Sequence, residues 1–178
     1  MLDKGTATRT QVARMIESTF EYRADEADSL YSHYLHRQAD PAGLAVFTNL
    51  LAQGVTLEQV SADIAGSPEY FQSRGSGTDT GFLAALYEDA LHRAPDLAGM
   101  TLYGQALAQG VSRAQVAADI FGSAEYRRDL VKGYYERYLN RQADTFGLDS
   151  VISALAHGAH DEDVVAAILG SSEFLANL

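Results

Sequence analysis

The sequence predicts an all-α protein of tandem helical repeats, about three helices per unit of about 48 residues, stacked into one array. Three observations predict it. Aligned on Tyr31, Tyr87 and Tyr135, residues 31–70 and 87–126 are identical at 21 of 40 positions, and residues 31–70 and 135–174 at 19 of 40, without a gap. The shared positions are helix starts and stops at matching offsets. Apolar residues recur three and four apart, as at Leu44, Phe47 and Leu51, and nothing alternates with the period of a strand.

The chain opens mid-repeat. Val12, Ile16 and Tyr22 keep the spacing of Val116 to Tyr126, so 1–22 reads as a partial repeat or N-terminal cap. Repeat one, 23–70, begins with the block Leu35-x-Arg37-x-x-Asp40-x-x-Gly43. Asp40 followed by Pro41 predicts an N-cap with proline at the first helical position, where no donor is needed. Gly54 after Leu51-Ala52-Gln53 predicts a helix stop, because glycine enters the left-handed conformation at little cost. Thr56-Leu57-Glu58-Gln59, and in repeat two Ser112-Arg113-Ala114-Gln115, are capping boxes. Ser67-Pro68-Glu69 opens another helix with an acid facing the positive end of its dipole.

Tyr70 lies eight residues further from Tyr87 than Tyr126 does from Tyr135, so 71–80 is predicted to be an inserted, flexible loop that breaks a long helix. Repeat two, 81–126, carries the blocks again as Leu91, Arg93, Asp96 and Gly99, then Leu107, Ala108 and Gly110, then Val116 to Glu125. Repeat three, 127–174, carries them as Leu139, Arg141, Asp144 and Gly147, then Leu155, Ala156 and Gly158, then Val164 to Glu173. Here 123–140 is predicted to run as one helix. Residues 175–178 start a further unit or end the chain. About ten helices are expected in all.

Composition narrows the chemistry. The net charge of -11 opposes contact with phosphate backbones and anionic lipid, so nucleic acid is not an expected partner. Mean hydropathy is -0.14, and no apolar run approaches membrane-spanning length, so no membrane insertion is expected. There is no cysteine, which removes disulfides, thiolate nucleophiles and cysteine-type zinc sites. The first residues lack the apolar stretch of a cleavable signal peptide.

The pattern Tyr-x-x-x-Leu-x-Arg-x-x-Asp-x-x-Gly, then Leu-Ala-x-Gly, then Val-x-x-x-Ile-x-x-Ser-x-Glu, resembles a bacterial helical repeat family, domain of unknown function 4214. The Arg-x-x-Asp-x-x-Gly core is also distantly similar to phycobilisome linker domains. The resemblance covers the chain from about Thr10 to Phe174. It implies a place in large secreted or surface proteins, among them surface-layer proteins and proteins with calcium-binding glycine-rich repeats. The sequence departs from the family where an aromatic, often tryptophan, follows the Gly-Leu: here stand Phe47, Tyr103 and Val151.

Candidate sites follow from the recurring and the irregular residues. Arg37, Arg93 and Arg141 would either grip an anionic ligand or pair with Glu69, Glu125 and Glu173 to hold the fold; the second reading is preferred. Asp40, Asp96 and Asp144, with Gly54, Gly110 and Gly158, are structural caps. One aspartate beside an apolar helix offers calcium too few oxygens, so no metal is expected there. His157 and His160 stand three apart in one copy only and read as loop histidines rather than a zinc or nickel pair. Tyr34, Tyr103, Tyr134 and Tyr138 would either face outward toward a sugar or a partner protein or pack in the core with the hydroxyl in water, the second reading being preferred; Tyr34, Tyr103 and Tyr138 are the candidate ligand contacts. Signatures of hydrolases, nucleotide binders and metalloproteases are missing, so no catalytic residue and no cofactor are expected.

The expected function is a non-catalytic binding or anchoring module of a larger bacterial protein, secreted or at the cell surface and exported without a cleavable signal. It would adhere to envelope polysaccharide, as carbohydrate-binding adhesins do, or to a partner protein. The alternative is a spacer or protein-assembly module with no small ligand. A clustered patch of the candidate tyrosines would favour the first, and their burial the second.

Overall fold

The computed structural model describes residues 7–177. Among them are twelve α-helices and no strand. They are α1 (Arg9–Glu17), α2 (Phe20–Leu35), α3 (Pro41–Ala52), α4 (Leu57–Ala65), α5 (Pro68–Ser73), α6 (Asp79–Leu91), α7 (Leu97–Ala108), α8 (Arg113–Phe121), α9 (Ala124–Leu139), α10 (Thr145–Ala156), α11 (Asp161–Leu169) and α12 (Ser172–Ala176). Each repeat is a long helix, a middle helix and a short helix. The count exceeds ten because the insertion divides one long helix into α5 and α6, and because α12 already opens a further unit.

The joints are the predicted ones. Asp40 accepts from the backbone N–H groups of Ala42 and Gly43, Asp96 from Gly99 and Asp144 from Gly147, each at the start of a middle helix. Gly54, Gly110 and Gly158 end these helices at φ 84°, 92° and 94°, where a Cβ would be strained. Thr8 and Thr56 form complete capping boxes at α1 and α4, whereas Ser112 supplies only its half of the expected box at α8, the Gln115 amide donating to Asp119. Such a cap contributes about 1 kcal/mol. The long helices end on His36, His92 and Asn140, all left-handed at φ near 50°, a conformation that His and Asn tolerate better than most residues.

The insertion is tighter than the expected flexible loop over 71–80. Only Arg74–Thr78 lies outside helix, and Gly75 is buried so closely against Phe82 that a Cβ would lie 2.9 Å from its backbone. Arg74 Nη2 donates to Asp89 Oδ1 at 2.7 Å, and the Tyr70 hydroxyl donates to Asp89 Oδ2 at 2.7 Å. A buried carboxylate on α6 thus ties back the helix that the insertion interrupted.

The chain divides into two compact units, one of residues 24–126 and one joining 1–23 to 127–178. In the first, α4 packs on α8, and Tyr70, Phe82, Leu83, Leu86 and Phe121 are almost wholly buried. In the second, α1 packs on α11, and Val131, Leu139, Leu155, Val164 and Ile168 form the core. The two helix pairs share one contact. A Cβ on Gly66, after α4, would lie 2.4 Å from Cα of Ala114, and one on Gly170, after α11, 2.2 Å from Oγ1 of Thr10. Ala114 and Thr10 each sit two residues beyond a helix cap, so the N-terminal partial repeat meets repeat three as repeat two meets repeat one.

Candidate functional site

The repeated charged residues assemble into three near-identical clasps. Arg37 Nε donates to Glu69 Oε1 at 2.6 Å and Nη2 to Oε2 at 2.7 Å, while Nη1 donates to the carbonyl of Gln38 at 2.8 Å. Arg93 holds Glu125 at 2.6 and 2.8 Å and the carbonyl of Ala94 at 3.1 Å. Arg141 holds both oxygens of Glu173 and the carbonyl of Gln142. The guanidiniums lie over the rings of Tyr31, Tyr87 and Tyr135, 5.0, 5.1 and 5.0 Å from the centroids. The planar fork suits this task, since it bonds a carboxylate along one edge and stacks on a ring by its face.

Beneath each arginine the tyrosine hydroxyl reaches the start of the middle helix. A Cβ at Gly43 would come within 2.1 Å of Tyr31 Oη, and one at Gly99 within 2.2 Å of Tyr87 Oη. The glycine of Arg-x-x-Asp-x-x-Gly is therefore required by space, which the spacing alone did not reveal. Hydrogen bonds from the arginines hold the Glu69 and Glu173 carboxyls below the usual range. Backbone N–H groups do the same for Asp40 and Asp144.

Each arginine is thus bonded within its own repeat, as the structural reading of Arg37, Arg93 and Arg141 holds. The candidate tyrosines are placed differently from one another. Tyr34 is 3% exposed, which corrects its place among the candidate ligand contacts and matches the preferred core packing: Phe121 and Tyr70 meet it edge-on at 5.7 and 6.5 Å. Tyr103 is half-buried against Tyr87. Tyr138 is half-buried in the other unit beside Tyr134, whose hydroxyl donates to Asp161. They form no common patch within either unit. His157 turns its ring back to the carbonyl of Ser153 at 2.7 Å. No group of three or more His, Asp or Glu side chains able to hold a metal comes together among the described residues, and no helix among them is long and apolar enough to cross a membrane.

What the recurring motifs do not explain is the middle helices. Neither α3 nor α7 contains a charged residue, and each has a single buried position, Thr48 and Gly99. Val46 on α3 is 55% exposed, and Leu97 and Leu102 on α7 are 85% and 62% exposed. An ordinary surface helix carries charge on its outer face. These do not.

The family model described as domain of unknown function (DUF4214) matches residues 18–74, 61–130 and 127–178. The chain belongs to this family. Three tandem matches coincide with the three clasps, so membership and architecture rest on the same residues. Among curated proteins and among solved structures nothing matches the chain.

Proposed function

We propose that this member of the family is a non-catalytic anchoring module of a larger secreted or surface protein, and that its partner is a protein. The observation that carries this is the outer face of α3 and α7, charge-free and studded with Val46, Leu97 and Leu102. Charge depletion with exposed aliphatic side chains marks surface that a partner covers. Envelope polysaccharide draws less support from the candidate tyrosines, which are buried or half-buried; the open aromatic faces are those of Phe20 and Phe146. The clasps serve this function indirectly, by fixing the ends of the helices that carry the apolar face.

Sedimentation with isolated cell envelopes tests the reading. The wild-type chain is expected to sediment with envelopes after periodate oxidation of polysaccharide and to remain in solution after protease treatment of the envelopes. The pair Val46→Lys and Leu102→Lys is expected to abolish retention without unfolding. Retention that survives protease, or that ignores both lysines, overturns it. No retention under any treatment supports the spacer instead.

A further inference from the structure

We infer that the unit joining the two ends of the chain holds a binding site for an aromatic ring, with room beside it for the group that carries the ring. A solvent-open cavity of about 400 Å³ lies in this unit, bounded by Tyr135, Val151 and Ile168. The repeats themselves say what fits it. In repeat one the ring of Phe47 stands edge-on to Tyr31, 5.6 Å between centroids at 64°. In repeat two Tyr103 stands on Tyr87 at 6.4 Å and the same 64°. The corresponding residue of repeat three is Val151, so Tyr135 faces empty space where its two counterparts face a ring.

The loss of one ring is accompanied by trimming of the walls. Val55 and Val111 are replaced at the equivalent position by Ala159, and Val46 and Leu102 by Ser150. Asp63 and Asp119 are replaced by Ala167, while Asp163, in the place of Gln59 and Gln115, and Glu173 also line the cavity. All of these replacements line the cavity. An open, largely apolar pocket walled in part by the Tyr135 ring, with Ser150, Asp163, Ser171 and Glu173 also along it, favours an incoming ring over an aliphatic group of equal size, because edge-to-face contact adds to burial. The occupant is a phenol-like or benzene-like group, taken from outside in the place that repeats one and two fill from within.

The test is NMR titration of the full chain with p-cresol, with cyclohexanol as the non-aromatic control. The expected dissociation constant is about 1 mM, ordinary for so few atoms. Shifts should centre on Val151, Ala159 and Ala167. Val151→Tyr supplies the ring from the chain and should weaken p-cresol at least about tenfold, the result of direct competition for one site. Should that variant fail to fold, Ala167→Asp adds a third carboxylate to the lining, beside Asp163 and Glu173, and should weaken p-cresol likewise. Equal affinity for cyclohexanol, no saturable shift, or p-cresol binding unchanged in a folded variant overturns the proposal. N-acetyltyrosinamide separates the sources: if it binds with p-cresol, a partner's side chain can enter, and if p-cresol alone binds, the ligand is a free aromatic. The Val46→Lys and Leu102→Lys pair lies in the other unit and should leave p-cresol binding intact, so failure of the anchoring reading is told apart from failure of this one.

Discussion

Arg93 bonds both carboxylate oxygens of Glu125, 32 residues further along the chain, while its face rests on the ring of Tyr87. The pair closes one repeat by joining the end of its long helix to the first turn of the next. Arg93→Lys keeps the charge but loses the two-pronged geometry. Its unfolding temperature should fall nearly as far as that of Arg93→Ala. Calorimetry on both variants checks this, and full recovery with lysine would show that charge alone matters.

Gly99→Ala should destabilise by about 1–3 kcal/mol, the usual cost of forcing an added methyl into a packed site. The methyl would meet the Tyr87 hydroxyl at 2.2 Å. Tyr87→Phe removes that oxygen, so the double variant should recover part of the loss. Denaturant melts of the two single variants and the double measure the coupling, and strict additivity would contradict the geometry.

Arg74→Ala should cost about 3 kcal/mol, because it leaves the Asp89 carboxylate, 8% exposed, without its cation. Hydrogen exchange should quicken in α5 and α6 while α10 and α11 keep their protection.

Acidity should act in two windows. Burial, then the nearby Glu162 and Asp163 carboxylates, push the Glu17 carboxyl up to about 7, against the opposing pull of Arg14. Its Oε1 and the Oε2 of Glu162 are buried without a hydrogen-bond partner. A carboxyl raised in the folded state favours folding below its unfolded value of 4.5 and loses that advantage as pH climbs toward and through 7. After allowance for solvent screening the effect is about 1 kcal/mol. Glu17→Gln should flatten the slope between pH 5 and pH 7.5, roughly the window bounded by those two values. The clasps act oppositely: Glu69 and Glu173 are lowered, so their contribution holds above the ordinary carboxylate range and fails as pH falls below it. Thermal melts across pH should show both limbs.

Much of this fold was legible in the sequence because its joints are local. A cap is one side chain bonding N–H groups two or three residues ahead, and Asp40, Asp96 and Asp144 occupy the same surroundings. The arginine–glutamate pairing was legible because both partners recur at a constant separation. The neighbours of Tyr34 were not, since they include Phe121 from another repeat, and the equivalent residues Ala90 and Tyr138 carry no common signal. The cavity beside Tyr135 was half-visible: the missing aromatic at Val151 could be read, but the space it leaves depends on how α9, α10 and α11 close around it.

The pairing of α1 with α11 imposes an order on synthesis. Residues 24–126 are contiguous, so their contacts join segments made close together in time. The first helix, by contrast, waits for a partner made roughly 150 residues later, the costliest sort of closure in a chain otherwise rich in neighbouring contacts. Until then Ala13, the buried residue of α1, lacks its cover. A chain halted before the third repeat would therefore leave α1 without α11 to pack on.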